Sequence, residues 1–235
     1  MGKTLAAHGE RHTGQPAFLR DVVLGMSDGL TVPFALAAGV SGAVDSNTIV
    51  ITAGVAEIAA GAISMGLGGY LASKTEADHY ASEYAREVRE TETIPAEERA
   101  EVRGIFMQYG ITGPALEQLV DTIASDRTRW VDFMMRNELG LERPVPGAAP
   151  RSAATIGLSY AFAGVIPLIP YFFVPSVHQA LLWSVCFTLA ALFAFGWFKA
   201  SVTSISPVVG AFQAMLIGGI AAGVAFGLAR LINHG

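Results

Sequence analysis

The run Ala180–Phe198, A-L-L-W-S-V-C-F-T-L-A-A-L-F-A-F-G-W-F, holds nineteen residues without a single charge. At about 1.5 Å of rise per helical residue, such a run matches a hydrocarbon core of roughly 30 Å. It lacks the polar face that a soluble helix needs. It is read as a membrane span, and Phe18–Gly42, Ile49–Ala72, Ala153–Val174 and Ile205–Ile232 share its character. Composition points the same way: only 15% of the 235 residues are charged, against about 25% in soluble domains. A net charge of −5 offers no basic patch, so nucleic acid is excluded as a partner. The lone Cys186 rules out a disulfide scaffold. No Ser/His pair or His-rich cage supplies a nucleophile or catalytic metal, so an enzyme is not expected.

Charge is concentrated between the second and third spans. Twenty-five of the thirty-five charged residues fall between Lys74 and Arg151. The expected divisions are therefore a polar tail (1–17), spans one and two (18–73), an acidic insert (74–151) and spans three to five (152–235). Fourteen of the fifteen Lys and Arg residues lie in the N-terminal stretch up to Arg20, the insert or the connection holding Lys199; Arg230 stands alone on the other side. The positive-inside rule then places the N-terminus and insert in the cytoplasm and the C-terminus outside. No removable signal peptide is evident. Gly219, Gly223 and Gly227 recur every fourth residue, a spacing that permits close helix packing, within the chain or as a seam between two copies. Pro33, Pro167 and Pro170 lie inside spans and predict local kinks or unwinding.

Three acids interrupt the first two spans: Asp21, Asp28 and Glu57. Each costs about 2.5–3.5 kcal/mol to insert, so such groups normally face an internal pathway. No Lys or Arg sits at mid-depth to neutralise them, which leaves protons, a cation or water. Asp28 lies about 13 Å from the cytoplasmic end of span one, and Met65 about 12 Å from that of span two. The two are expected at one level on antiparallel helices. Glu57 lies two turns from Met65 on the same face, and Asp21 lies near the cytoplasmic mouth.

The insert reads as helical. A first helix continues from span two to Thr93 and is stopped by Pro95. A second runs from Ala96 to about Tyr109, a third over 114–124, and a fourth from Asp126 to Leu139; the Gly110–Pro114 break decides whether the second and third are separate. Glu83, Glu87 and Glu90 share one helix face, Glu98 and Glu101 are three apart, and Met134 and Glu138 four apart. Like charges at these spacings repel. Two readings stay open: a solvated acidic face interleaved with Arg86, Arg89, Arg99 and Arg103, or a divalent-ion site where two such faces meet. Carboxylates with a thioether suit a transition ion such as Fe²⁺ better than Ca²⁺. His79, His8 and His12 are isolated and read as surface residues.

The runs D-V-V-L-G-M-S-D-G-L (Asp21–Leu30), E-I-A-A-G-A-I-S-M-G-L-G-G-Y-L-A (Glu57–Ala72), E-A-D-H-Y (Glu76–Tyr80), D-F-M-M-R-N-E-L-G-L-E-R-P (Asp132–Pro144) and P-L-I-P-Y (Pro167–Tyr171) resemble the vacuolar iron transporter family. The resemblance covers Phe18 to the C-terminus. It implies an all-α, polytopic membrane protein with five transmembrane helices and a helical cytoplasmic metal-binding domain inserted between helices two and three. It further implies a homodimer that exchanges cytosolic Fe²⁺ for protons. By motif, Asp28 and Met65 resemble the translocation ligands, and Asp21 and Glu57 other pathway positions. Glu87, Glu90, Glu98, Glu101, Met134 and Glu138 correspond to ligands of the cytoplasmic domain. The ion is cargo rather than a resident cofactor; family members differ in preference between iron and manganese, and Co²⁺ and Zn²⁺ are further candidate substrates. The excess of Arg over Lys suggests a bacterial chain and a plasma membrane; otherwise the membrane would be vacuolar. The competing reading is an anchored metal sensor or adaptor.

Overall fold

The computed structural model describes residues 15–203 and 206–234. Lys3, His8, Arg11, His12 and the first residue of the fifth apolar run lie outside them. Every regular element described is a helix: α1 (Gln15–Ala43), α2 (Asn47–Thr93), α3 (Pro95–Gln108), α4 (Pro114–Ala124), α5 (Arg127–Asn137), α6 (Ala148–Phe173), α7 (Val177–Val202) and α8 (Pro207–His234). Five of them, α1, α2, α6, α7 and α8, are long and apolar enough to cross a membrane. α2 has 47 residues, about 70 Å of helix, more than twice the thickness of a hydrocarbon core. Only its apolar first half can lie in lipid; the charged half from Lys74 onward falls outside the span.

The chain divides into two compact units. The first comprises the described residues up to Leu71 and from Ala149 onward. Its helices close on one another through glycines. Gly25 and Gly29 of α1 lie against Ile156 and Tyr160 of α6, and Gly61 of α2 lies beneath the Tyr160 ring. A methyl group at Gly29 would sit 2.8 Å from the Tyr160 Cα, a backbone atom that cannot step aside. α8 packs on α1 and α7, with Gly196 and Gly210 at the α7–α8 contact. The aliphatic core gathers Leu30, Ala163, Leu192 and Phe195 in one cluster and Ala37, Val50, Leu168 and Tyr171 in another. Large apolar side chains such as Leu158 and Phe162 point outward, as in a unit whose solvent is lipid.

Two expectations meet the structure here. Of the kinks or unwinding expected at Pro33, Pro167 and Pro170, unwinding does not occur, for α1 and α6 remain helical through them. Neighbouring helices support these positions: Pro33 packs against Gly164, and the Pro167 carbonyl accepts a 2.7 Å hydrogen bond from the Ser184 hydroxyl. The glycine series on α8 is not an intrachain seam either. A Cβ added at Gly223 or Gly227 meets nothing within 4 Å, and one at Gly219 meets only Leu189 at 3.9 Å. The four-residue spacing is present, but Gly196, Gly210 and Gly218 are the glycines packed against the chain's own helices.

The second unit, Ala72–Ala148, is built from the later part of α2 with α3, α4 and α5. Pro95 stops α2 and opens α3 at the first helical position, where its missing N–H costs nothing. Gly110 and Gly113 take positive φ of 79° and 69°, so the chain turns and α3 and α4 are separate helices. Asp126 accepts a 2.8 Å bond from the Arg129 amide and caps α5, satisfying a donor the helix itself cannot. Val102, Leu116, Val120, Trp130 and Met134 form the apolar core. Phe106 and Phe133 pack beside it with ring centroids 5.3 Å apart.

Candidate functional site

In the second unit, the repeating glutamates of α2 are brought to those of α3. Ligand oxygens of Glu87, Glu90 and Glu98 all lie within 4.8 Å of one another. Glu87 and Glu98 are buried, and each keeps one carboxylate oxygen without a hydrogen-bond partner. Burying an acid costs free energy unless it is paired or holds a metal. Burial, reinforced by Glu138, pushes the Glu87 carboxyl up to about 7. Burial, reinforced by Glu101 and Glu87, does the same to Glu98. Glu138 is raised too, by burial first and then by Glu101. Five carboxylates therefore share one electrostatic neighbourhood, and three of them stand at chelating distance.

The arginines of this region behave unequally. Arg86 reaches three glutamates: its Nε donates to Glu83 at 2.9 Å, Nη1 to Glu90 at 3.0 Å, and Nη2 lies 3.2 Å from Glu87. Arg99 and Arg103 instead turn to α4, where they pair with Asp121 and Glu117. Of the four arginines in the reading of an interleaved acidic face, Arg86 stays among the α2 glutamates, whereas Arg99 and Arg103 pair with α4. Met134 is fully buried in the apolar cluster of the unit, one turn before Glu138 on the sequence.

In the first unit, the membrane acids separate into two environments. Asp21 is 4% exposed, and Arg20 donates to its Oδ1 at 3.3 Å. The expectation that no basic residue neutralises these acids is thus corrected for Asp21. Arg20 sits beside it at the start of the span, where its long side chain keeps its charged head exposed while reaching the buried acid. Among the described residues, Glu57 and Asp28 have no such cation. The Tyr160 hydroxyl donates to Glu57 Oε1, while Glu57 Oε2 is buried without a partner. Asp28 lies close enough to Tyr160 to act on it electrostatically.

Gly29 of α1 lies against the Tyr160 backbone and Gly61 of α2 against its ring, so one tyrosine touches the helix of Asp28 and the stretch of α2 between Glu57 and Met65. Met65 is half-buried on α2 and has no part in the Tyr160 hydrogen bond. Tyr160 is the residue that sequence reasoning missed. Its only signal was a polar ring in the middle of an otherwise apolar third span.

A carboxylate cluster in one unit and buried acids in the other are chemistry suited to a divalent cation, and comparison with known proteins gives that chemistry a family. The VIT family model matches residues 19–230. "Vacuolar iron transporter 1" of Arabidopsis thaliana is 51% identical over 227 residues, covering 97% of this chain and 91% of that protein. "Vacuolar iron transporter 2" of Oryza sativa subsp. japonica is 49% identical over 229 residues, covering 97% and 93%. "Protein CCC1" of Saccharomyces cerevisiae is 36% identical over 226 residues, covering 93% and 70%. With acids, glycines and insert all inside the matched range, this chain belongs to the VIT family.

Proposed function

We propose that this protein is an integral membrane transporter that moves Fe²⁺, and with it Mn²⁺, out of the cytosol in exchange for protons. The observation that carries the reading is the convergence of Glu57 and Asp28, from two different spans, on Tyr160 of a third. Acids without a cationic partner inside a bilayer are costly, and a pathway for ions and protons is what such groups serve. The names of the relatives supply the ion: they are iron transporters.

In this reading the second unit faces the cytosol and captures the ion. Glu87, Glu90 and Glu98 supply the first carboxylate oxygens, with Glu101 and Glu138 adding charge and Met134 a thioether once its packing opens. Asp28 and Met65 accept the ion within the membrane, and Asp21 guards the cytoplasmic mouth. Protons arriving from the other side at Glu57 and Asp28 then weaken the hold, because carboxylate ligands bind metal only when deprotonated. The N-terminus is cytoplasmic and the C-terminus outside. Two copies pair as a homodimer, and the unpacked Gly219, Gly223 and Gly227 face of α8 is compatible with close approach of a second helix. The membrane is the vacuolar one, or the plasma membrane in a bacterial cell.

The test is flux. In proteoliposomes with an imposed pH gradient, wild-type protein should accumulate Fe²⁺ and Asp28→Asn should not, while both bind metal at the glutamate cluster. Undiminished transport by Asp28→Asn would sink the mechanism. Running Fe²⁺, Mn²⁺, Co²⁺ and Zn²⁺ under one gradient identifies the substrate. The sensor or adaptor reading predicts metal binding with no flux at all, and it gives no reason for Asp28 and Glu57 to sit in lipid.

A further inference from the structure

A second polar feature lies elsewhere in the membrane unit. A cavity of about 110 Å³ opens between α1, α7 and α8, with Ser27, Lys199, Thr203 and Gln213 on its polar side and Phe195 and Ile217 on its apolar side. Among the described residues no carboxylate lines it, so its charge there is that of Lys199. Among the described residues, neither Lys199 nor Gln213 has a side-chain hydrogen bond or ion pair. That is costly for an amide on an apolar helix: Gln213 sits six residues into α8, between Phe212 and Leu216, which are 60% and 63% exposed. An amide facing hydrocarbon without a partner forfeits its hydrogen bonds.

The depth is that of a headgroup. α7 has 26 residues, about 39 Å of helix, so its ends overrun a 30 Å core. Lys199 lies three residues before its last residue, beside Trp197, the residue type that favours the membrane–water boundary. One cation and two neutral donors within reach of an apolar wall fit a lipid phosphate. The cavity is too small for acyl chains, which would instead run along the exposed Phe212, Leu216 and Ile217. A lining with a net positive charge selects a headgroup with a net negative one.

We propose that this cavity binds the phosphate of an anionic glycerophospholipid, with Lys199 as its charge partner and Gln213 and Ser27 as hydrogen-bond donors. The site lies in the leaflet where α7 ends, the cytoplasmic one in the orientation proposed above. It rests only on these helices crossing a bilayer, and its failure would leave metal transport untouched.

The full chain, delipidated in mild detergent, is offered equal amounts of phosphatidylglycerol and phosphatidylcholine with identical acyl chains, and bound lipid is read by native mass spectrometry. Phosphatidylglycerol should be preferred roughly tenfold, the factor carried by about 1.4 kcal/mol. Lys199→Gln and Gln213→Leu should each reduce that preference severalfold. Arg230→Gln, at the opposite end of α8, should leave it intact. Equal occupancy by the two lipids would overturn the proposal. So would an unchanged preference in Lys199→Gln, an equal loss in Arg230→Gln, or displacement of the lipid by millimolar inorganic phosphate, which would mark a free-anion site.

Discussion

Glu98→Gln gives the most direct test of how the glutamate cluster is held. Glu98 is 2% exposed, and its carboxyl is raised from 4.5 to about 7. Between those two values the folded chain keeps a proton that the unfolded chain has lost, so stability falls as pH rises through that window. Below about 4.5 the carboxyl is neutral in both states and contributes no penalty; above about 7 the penalty is complete. A shift of roughly 2.5 units corresponds to about 3 kcal/mol at most. Neutral Gln at 98 should therefore stabilise the metal-free protein by up to that amount at pH 8 and by almost nothing near pH 4.5. Amide exchange of α3 peptides in chelator, corrected for intrinsic rates, measures it. Excess Mn²⁺ should reverse the order at pH 8, because a ligand at a hundred times its Kd stabilises the wild type by about 2.7 kcal/mol and the variant loses much of that gain. A Glu98→Gln chain less protected than wild type at pH 8 without metal would refute the account of Glu98 as a buried, metal-seeking acid.

Other outcomes follow from the same geometry. Tyr160→Phe removes the one donor to Glu57 among the described residues and should cost about 1–3 kcal/mol, read as a lower melting temperature in detergent, together with altered pH dependence of flux. Gly29→Ala drives a methyl into the Tyr160 backbone and should destabilise the membrane unit by at least 1–3 kcal/mol, whereas Gly223→Ala should leave protomer stability unchanged; thermal unfolding of both compares them. Asp126→Ala removes the cap of α5 and should cost about 1 kcal/mol, visible as faster exchange at Arg129 and Trp130. Metal affinity at the cluster should rise between pH 6 and pH 8 as Glu87 and Glu98 deprotonate, which titration calorimetry with Mn²⁺ can follow.

Sequence carried the helices well because their signals are local. Uncharged runs of span length need no partner to be recognised, and Pro95, Gly110 and Asp126 end or start helices through their own backbone chemistry. The glutamate cluster was half legible. Spacing put Glu87 and Glu90 on one face, but that Glu98 of another helix meets them depends on the packing of α2 with α3. What involved distant partners was not legible. Tyr160 lies 103 residues from Glu57, and no pattern in either helix announces the pair. Depth alone does not announce that Arg20 at the mouth reaches Asp21, because the long side chain spans what the residue count along the helix does not. The α8 glycines misled for a related reason: periodicity identifies a face, not what lies against it.

The forked contact of Arg86 with Glu83, Glu87 and Glu90 means that the cluster already contains a resident monovalent tenant. If the cluster takes up a divalent ion as proposed, the free oxygens of Glu87 and Glu98 would receive it first, and the guanidinium would have to give up Glu90 for that carboxylate to join. Binding would then be in part an exchange of one counter-ion for another, which would temper affinity and quicken hand-over. Storage proteins gain from a grip that tightens without limit; a carrier needs one that lets go.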